Sequence, residues 1–352
     1  MHADRVERKW IRAFAEVFER SNVHSGDPVA ILSETQSRQI NVHLSELALL
    51  ELGAKAYHVV MPTPAQEFDM PVRSNGRTLA LQNIRPVVNL LAESSFVADN
   101  TVEGMLHTSE LREVLSRGSR YLHINNDHPE VLERVVCGTE MKERVQEAGA
   151  LIQRSRTMRI TSAAGTDLTV DISGPACQSG GSWGFSDEPG ILGTWPGGMV
   201  SIFPPPGTVS GTVVMDQGDL NLTFKRYLES PIKLIFEKDF IVSVEGEGAD
   251  AAMFRSYNEH WGDHDAWGIS HLGWGLNPRA HWEAMLAYDK RDTNGGEARM
   301  FAGCFLFSTG VNEIAGRDTS GHYDLPMRNC TIALDDTVAV DRGRLVDLSR
   351  AS

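Results

Sequence analysis

The sequence predicts an α/β N-terminal domain with an open, mostly parallel sheet and flanking helices over residues 1–155. An α+β, strand-rich C-terminal domain carrying a metal site is expected over 156–352. Three observations predict this. Helix-like and strand-like segments alternate through the first part, the pattern of βαβ units. The chain then becomes rich in Gly, Pro, Thr and Val, with short strands separated by turn residues. At 352 residues it is also longer than one typical small domain.

The elements follow in order. Val6 to Glu19 carries apolar residues at helical spacing, and Val29 to Ser33 is a short buried strand. A helix follows over about 37–52, then a strand from Ala56 to Met61, ended by Pro62 and Pro64. A helix is expected from Leu79 to Leu91, a strand from Phe96 to Asp99, a helix from Ser109 to Arg117 and a fourth strand from Arg120 to Ile124. No GxGxxG follows the first strand, so nothing supports dinucleotide binding. Thr139 to Arg154 is a long connecting helix. Thr157 to Thr161 and Leu168 to Ile172 flank a Gly-containing turn, a hairpin signal. Further short strands are expected around 207–215, 232–236 and 240–244, with helices at 249–260 and 278–286.

Composition excludes some classes of partner. The net charge is -14, the opposite of the basic footprint that a phosphate backbone requires, so no nucleic acid is expected. No apolar run approaches the length of a membrane span, and residues 1–20 lack the apolar core of a secretory signal. A cytoplasmic location is expected. Cys137, Cys177, Cys304 and Cys330 show no CxxC spacing and read as free thiols.

The strongest local signal for chemistry is Gly321-His-Tyr-Asp-Leu325. Residues two apart on an extended chain share a face, so His322 and Asp324 can offer a nitrogen and an oxygen to one ion. His271 lies among glycines and tryptophans, a setting that suits a packed pocket. Two histidines and one carboxylate leave coordination positions open, as in Fe(II) enzymes that activate O2. The plain alternative for His271 is a hydrogen-bonded core histidine.

Several other residues compete. His260 and His264 have the spacing of a zinc-binding helix, but the HExxH glutamate is missing and Gly262 interrupts the turn. His281 reads as peripheral, and His43, His58 and His123 as structural or surface residues. His107 falls in a loop just after a strand, where open α/β sheets gather ligand contacts, and a neutral imidazole there can act as a general base. Glu188 is a candidate ligand or outer partner, or a turn carboxylate. Trp195 can wall a pocket, and Ser308 can give a small ligand a polar contact, or both can lie in plain turns.

Three blocks carry a resemblance: Gly268 to Ala280, Phe305 to Gly310, and His322 to Cys330. They resemble, in sequence, order and spacing, the 2,5-dihydroxypyridine 5,6-dioxygenases of bacterial nicotinate degradation. Similarity is clear over about 160–340, and Met105-Leu-His107 matches as well. The resemblance implies a mononuclear non-haem Fe(II) enzyme, one iron per chain, with the iron ligands at His271, His322 and Asp324 and the catalytic base at His107. It implies a small aromatic substrate and O2, C5–C6 ring cleavage to N-formylmaleamate, a fold related to dinuclear metallo-aminopeptidases, and a homo-oligomer.

Two positions depart from the family. Its members carry a glutamate where this chain has Ser182, and a histidine where it has Thr194. Both belong to the substrate-binding shell, so a differently substituted ring is a second possible substrate. The competing reading is a dinuclear aminopeptidase-like hydrolase, which wants two ions and bridging carboxylates. His271 stands where a glutamate is expected in those enzymes, which favours one iron.

Overall fold

Along the strand Pro28–Glu34, alternate side chains go to different cores. Val29 and Ile31 pack with Trp10, Phe14, Phe18 and Leu49, while Ala30 and Leu32 pack with Val88, Leu91, Leu111 and Val114. Helices therefore cover both faces, as a parallel sheet requires. Helices Arg8–Arg20 and Gln39–Glu51 lie on one side, Arg85–Ala92 and Ser109–Ser116 on the other. The computed structural model describes residues 5–65, 76–174 and 177–348.

The chain's strands are β1 (Pro28–Glu34), β2 (Lys55–Met61), β3 (Phe96–Asp99), β4 (Arg120–Ile124), β5 (Thr157–Thr161), β6 (Asp167–Asp171), β7 (Gln178–Ser182), β8 (Leu192–Trp195), β9 (Met199–Phe203) and β10 (Val209–Met215). They continue with β11 (Leu220–Asn221), β12 (Arg226–Tyr227), β13 (Ile232–Glu237), β14 (Phe240–Glu245), β15 (Ile269–Gly275), β16 (Phe305–Asn312), β17 (Arg317–Met327), β18 (Thr331–Leu334), β19 (Thr337–Asp341) and β20 (Arg344–Leu345).

The first sheet runs β2-β1-β3-β4-β8, and every pairing in it is parallel. Its last member comes from beyond residue 155, so one strand of the later sequence returns to the N-terminal sheet. The rest is antiparallel: an eight-stranded sheet, β14-β13-β10-β6-β5-β18-β19-β20, and a five-stranded one, β17-β16-β15-β9-β7. One large apolar cluster joins them, filled from Thr139–Arg154 by Val145 and Leu151 and from Gly248–His260 by Phe254 and Tyr257. This is the expected architecture, a parallel α/β sheet followed by a strand-rich region.

Two expected helices are shorter than the sequence predicts. Residues 80–83 are turns, and the helix is Arg85–Ala92, with Pro86 in its first turn where a proline's missing N–H costs nothing. In place of a helix over 278–286 the structure has Ala284–Ala287, because Asn277 and Glu297 capture the backbone N–H groups of Arg279 and His281. All four cysteines are free, three of them buried, as expected. No helix among the described residues is long and apolar enough to cross a membrane.

Candidate active site

Alternation along β17 sends Tyr323 and Leu325 into the core and turns His322 and Asp324 to the other side. His271 reaches them from β15. The β15–β16 register shifts between Ile269 and Leu272, a bulge that re-aims the side chains within it. Gly310 pairs with His322 at φ +113°, and a Cβ there would collide with the Gly321 carbonyl oxygen, so glycine is required for the strands to close.

The three side chains meet. His322 Nε2 lies 3.2 Å from Asp324 Oδ1 and His271 Nε2 lies 4.0 Å from it, while the two imidazoles stack at 5.6 Å. Arg299 Nε donates to Asp324 Oδ2 at 2.6 Å, which leaves Oδ1 facing both histidines. Burial lowers the His271 pKa to about 4, so its ring is neutral, the form a metal requires. Burial works to raise the Asp324 pKa, but Arg299, His322 and His271 outweigh it and hold the group well below the usual carboxylate range.

Ligands about 2.1 Å from one ion and at right angles stand about 3 Å apart. The His322–Asp324 spacing fits this, and the 4.0 Å His271–Asp324 gap would have to narrow. Among the described residues no three His, Cys, Asp or Glu donors already form a closed metal cage. The donor set nevertheless fits: two histidines and one ionised carboxylate on a buried wall, the outer carboxylate oxygen pinned by Arg299.

The trio opens on a cavity of about 330 Å³, in the range of small-molecule sites. Met105, Leu106, Trp195, Met199, Phe203 and Leu306 give it apolar walls. Ser182 and Thr194 line it too and bond to each other, Thr194 Oγ1 to Ser182 Oγ at 2.7 Å. His107 stands beside the trio, its ring centroid 5.5 Å from that of His322 and 6.2 Å from that of Phe203. Its backbone is left-handed, φ 73°. Its Nε2 is buried and has no partner among the described residues. Burial, then the neighbouring His322 and His271, push its pKa well below the ordinary histidine value, so its ring is neutral.

Two expectations are corrected. Glu188 does not face the cavity; it is half exposed and bonds Lys142 Nζ at 2.7 Å, next to Asp187. Its Glu188→Ala variant is expected to keep stability within about 0.5 kcal/mol and turnover within about twofold, since exposed ion pairs contribute little. Thermal melts and oxygen uptake check this. Ser308 is fully buried and lies among the trio, donating to Asp324 Oδ1 and standing 3.3 Å from His271 Nε2. It therefore supports the trio and does not present its hydroxyl to a ligand.

The other histidine pair does not form a site. His260 Nδ1 bonds Ser256 O at 2.8 Å, and His264 packs on Phe240 at 4.2 Å. Sequence reasoning missed Arg299, which sits on the short helix Gly296–Met300 with no local signal. It also missed His123, which lines the cavity; its place at the carboxyl end of the strand Arg120–Ile124 was a usable signal.

The comparisons bear on this geometry. The model of the 2,5-dihydroxypyridine 5,6-dioxygenase family matches residues 9–347. A 2,5-dihydroxypyridine 5,6-dioxygenase of Pseudomonas putida is 37% identical over 340 residues, 95% of each chain. The solved 2,5-dihydroxypyridine dioxygenase from that organism superposes with a TM-score of 0.90 at 35% identity, covering 96% of each chain. AmpT from Thermus thermophilus shares the fold, with a TM-score of 0.59 at 15% identity and coverage of 97% and 99%. The chain belongs to the 2,5-dihydroxypyridine 5,6-dioxygenase family, and it is a dioxygenase.

Proposed function

We propose that this chain cleaves 2,5-dihydroxypyridine between C5 and C6, inserting both atoms of O2 to give N-formylmaleamate, with one Fe(II) per chain held by His271, His322 and Asp324. The observation that carries this is the meeting of two histidines with a single ionised, Arg299-pinned carboxylate on the wall of a mostly apolar cavity. Fe(II) held this way supplies open coordination positions and the electron-transfer capacity that O2 activation requires. The protein does the rest. The apolar walls orient one ring and exclude water. His107 takes the proton of the ring's 5-hydroxyl at Nε2 as the ring becomes electron-rich. All atoms of ring and O2 remain in the product, so no further reductant is consumed.

The same proposal has the enzyme working in the cytoplasm as a homo-oligomer, binding neither nucleic acid nor membrane, in keeping with its net charge of -14. The hydrolase alternative is not favoured, since the trio holds one carboxylate where a dinuclear site wants bridging ones.

Two measurements test the proposal. With isotopically labelled O2, the product is expected to carry both labelled atoms, and a product with only one would overturn the dioxygenase step. Arg299→Met frees the outer oxygen of Asp324, so Fe(II) affinity, read by chelator competition, is expected to fall roughly 10–100-fold. Unchanged affinity would remove Arg299 from the site.

A further inference from the structure

At the carboxyl ends of three neighbouring parallel strands, Asp99, His123 and Thr194 stand in one register row: Asp99 pairs with His123, and His123 with Thr194. Residues in register share a face, and His123 and Thr194 both line the cavity. This wall belongs to the parallel sheet, whereas His271, His322 and Asp324 stand on the antiparallel one. Asp99 is fully buried and lies 3.2 Å from His123 Nδ1. Burial opposes its ionisation, but its bonds to His123 and Thr101 outweigh that and keep it below the usual carboxylate range.

An ionised carboxylate only accepts, so His123 Nδ1 carries the proton. In the tautomer this contact fixes, Nε2 is the acceptor of the ring, as where a buried aspartate sets a histidine tautomer elsewhere. Gly104 lies against the ring at φ +76°, where a Cβ would stand 2.8 Å from His123 Cε1, so the loop clamps the imidazole in place. The neighbouring hydroxyls have no protons to spare. Ser182 Oγ donates to Thr194 O at 3.0 Å, and Thr194 Oγ1 donates to Ser182 Oγ or Pro196 O. What this row presents to a ligand is acceptors.

We infer that His123, positioned by Asp99, is a specificity-determining residue: with Thr194 it forms an acceptor wall that receives a hydrogen-bond donor on the substrate ring. The chemistry it selects is a hydroxypyridine bearing a ring N–H, or a hydroxyl at the neighbouring carbon. A ring with a bare nitrogen at that edge would set lone pair against lone pair. This inference rests on the ring-substrate reading above.

The test is anaerobic calorimetry of the intact, iron-loaded protein with 2,5-dihydroxypyridine and with phenol, which lacks the donor, in mildly alkaline buffer. The native protein is expected to prefer the first by about tenfold or more, because an unmatched buried acceptor discriminates strongly. His123→Ala is expected to bring the ratio to within about twofold of one. Asp99→Asn turns the carboxylate into an amide donor, moves the imidazole proton to Nε2, and is expected to abolish the preference with His123 still present. Native ratios in either folded variant, or no preference in the native protein, would overturn the inference alone. Binding of neither ring by the native protein would overturn the ring-substrate reading and this inference with it.

Discussion

His322→Ala is expected to lose its bound iron, and oxygen uptake with it. His322 Nε2 and Asp324 Oδ1 are already 3.2 Å apart, the spacing closest to that of two ligands of one ion. Removing one of three donors should exceed the roughly 10–100-fold cost of losing an outer partner. Folding is a separate question that a thermal melt answers. The backbone carbonyl of His322 keeps its bond from Tyr257 Oη, and truncation of the side chain should cost about 1–3 kcal/mol. Iron per chain, measured after anaerobic reconstitution and desalting, is expected to fall close to zero in a protein that remains folded. A variant that keeps a full complement of iron would remove His322 from the ligand set.

His107→Asn is expected to do the reverse, keeping iron and losing turnover. Asparagine tolerates the left-handed backbone at this position, so the loop can hold its course. Its amide cannot take the proton that the unpartnered Nε2 of His107 is placed to accept. General-base catalysis contributes about 10²–10⁴-fold, and turnover should fall by that order. Single-turnover kinetics under O2 with a native iron content checks it, and turnover within a few-fold of native would end the assignment of His107 as base.

Much of the fold was legible because its signals are local. The strands around Val29, Ala56, Phe96 and Arg120 are short apolar or alternating runs with turn residues between them, and the structure has each. The helix near Leu79 started late because Pro86 fixes where a helix can begin. The return of Leu192–Trp195 to the first sheet could not be read. It is four residues long, and what holds it there is remote: its parallel pairing with Tyr121 to Ile124 of β4.

The site divides in the same way. His322 and Asp324 were legible as a pair from their spacing, but His271 joins them across a bulge, which spacing does not encode. Ser308 lay in the right neighbourhood with a different role, since its partners, Asp324 and His271, come from other strands. Glu188 was misleading because a carboxylate in a Gly-rich turn looks the same whether it faces a cavity or Lys142. His123 became a cavity residue only once the register placed it between Asp99 and Thr194.

In the proposed function, one iron held by the His271, His322 and Asp324 trio makes this chain a ring-cleaving dioxygenase. Anaerobic titration of metal-stripped protein with Fe(II), followed by oxygen uptake with 2,5-dihydroxypyridine at each addition, tests it most directly. Activity should rise linearly and break at one iron per chain, with one O2 consumed per ring. A break at two metals per chain, or full activity with zinc in place of iron, would contradict it.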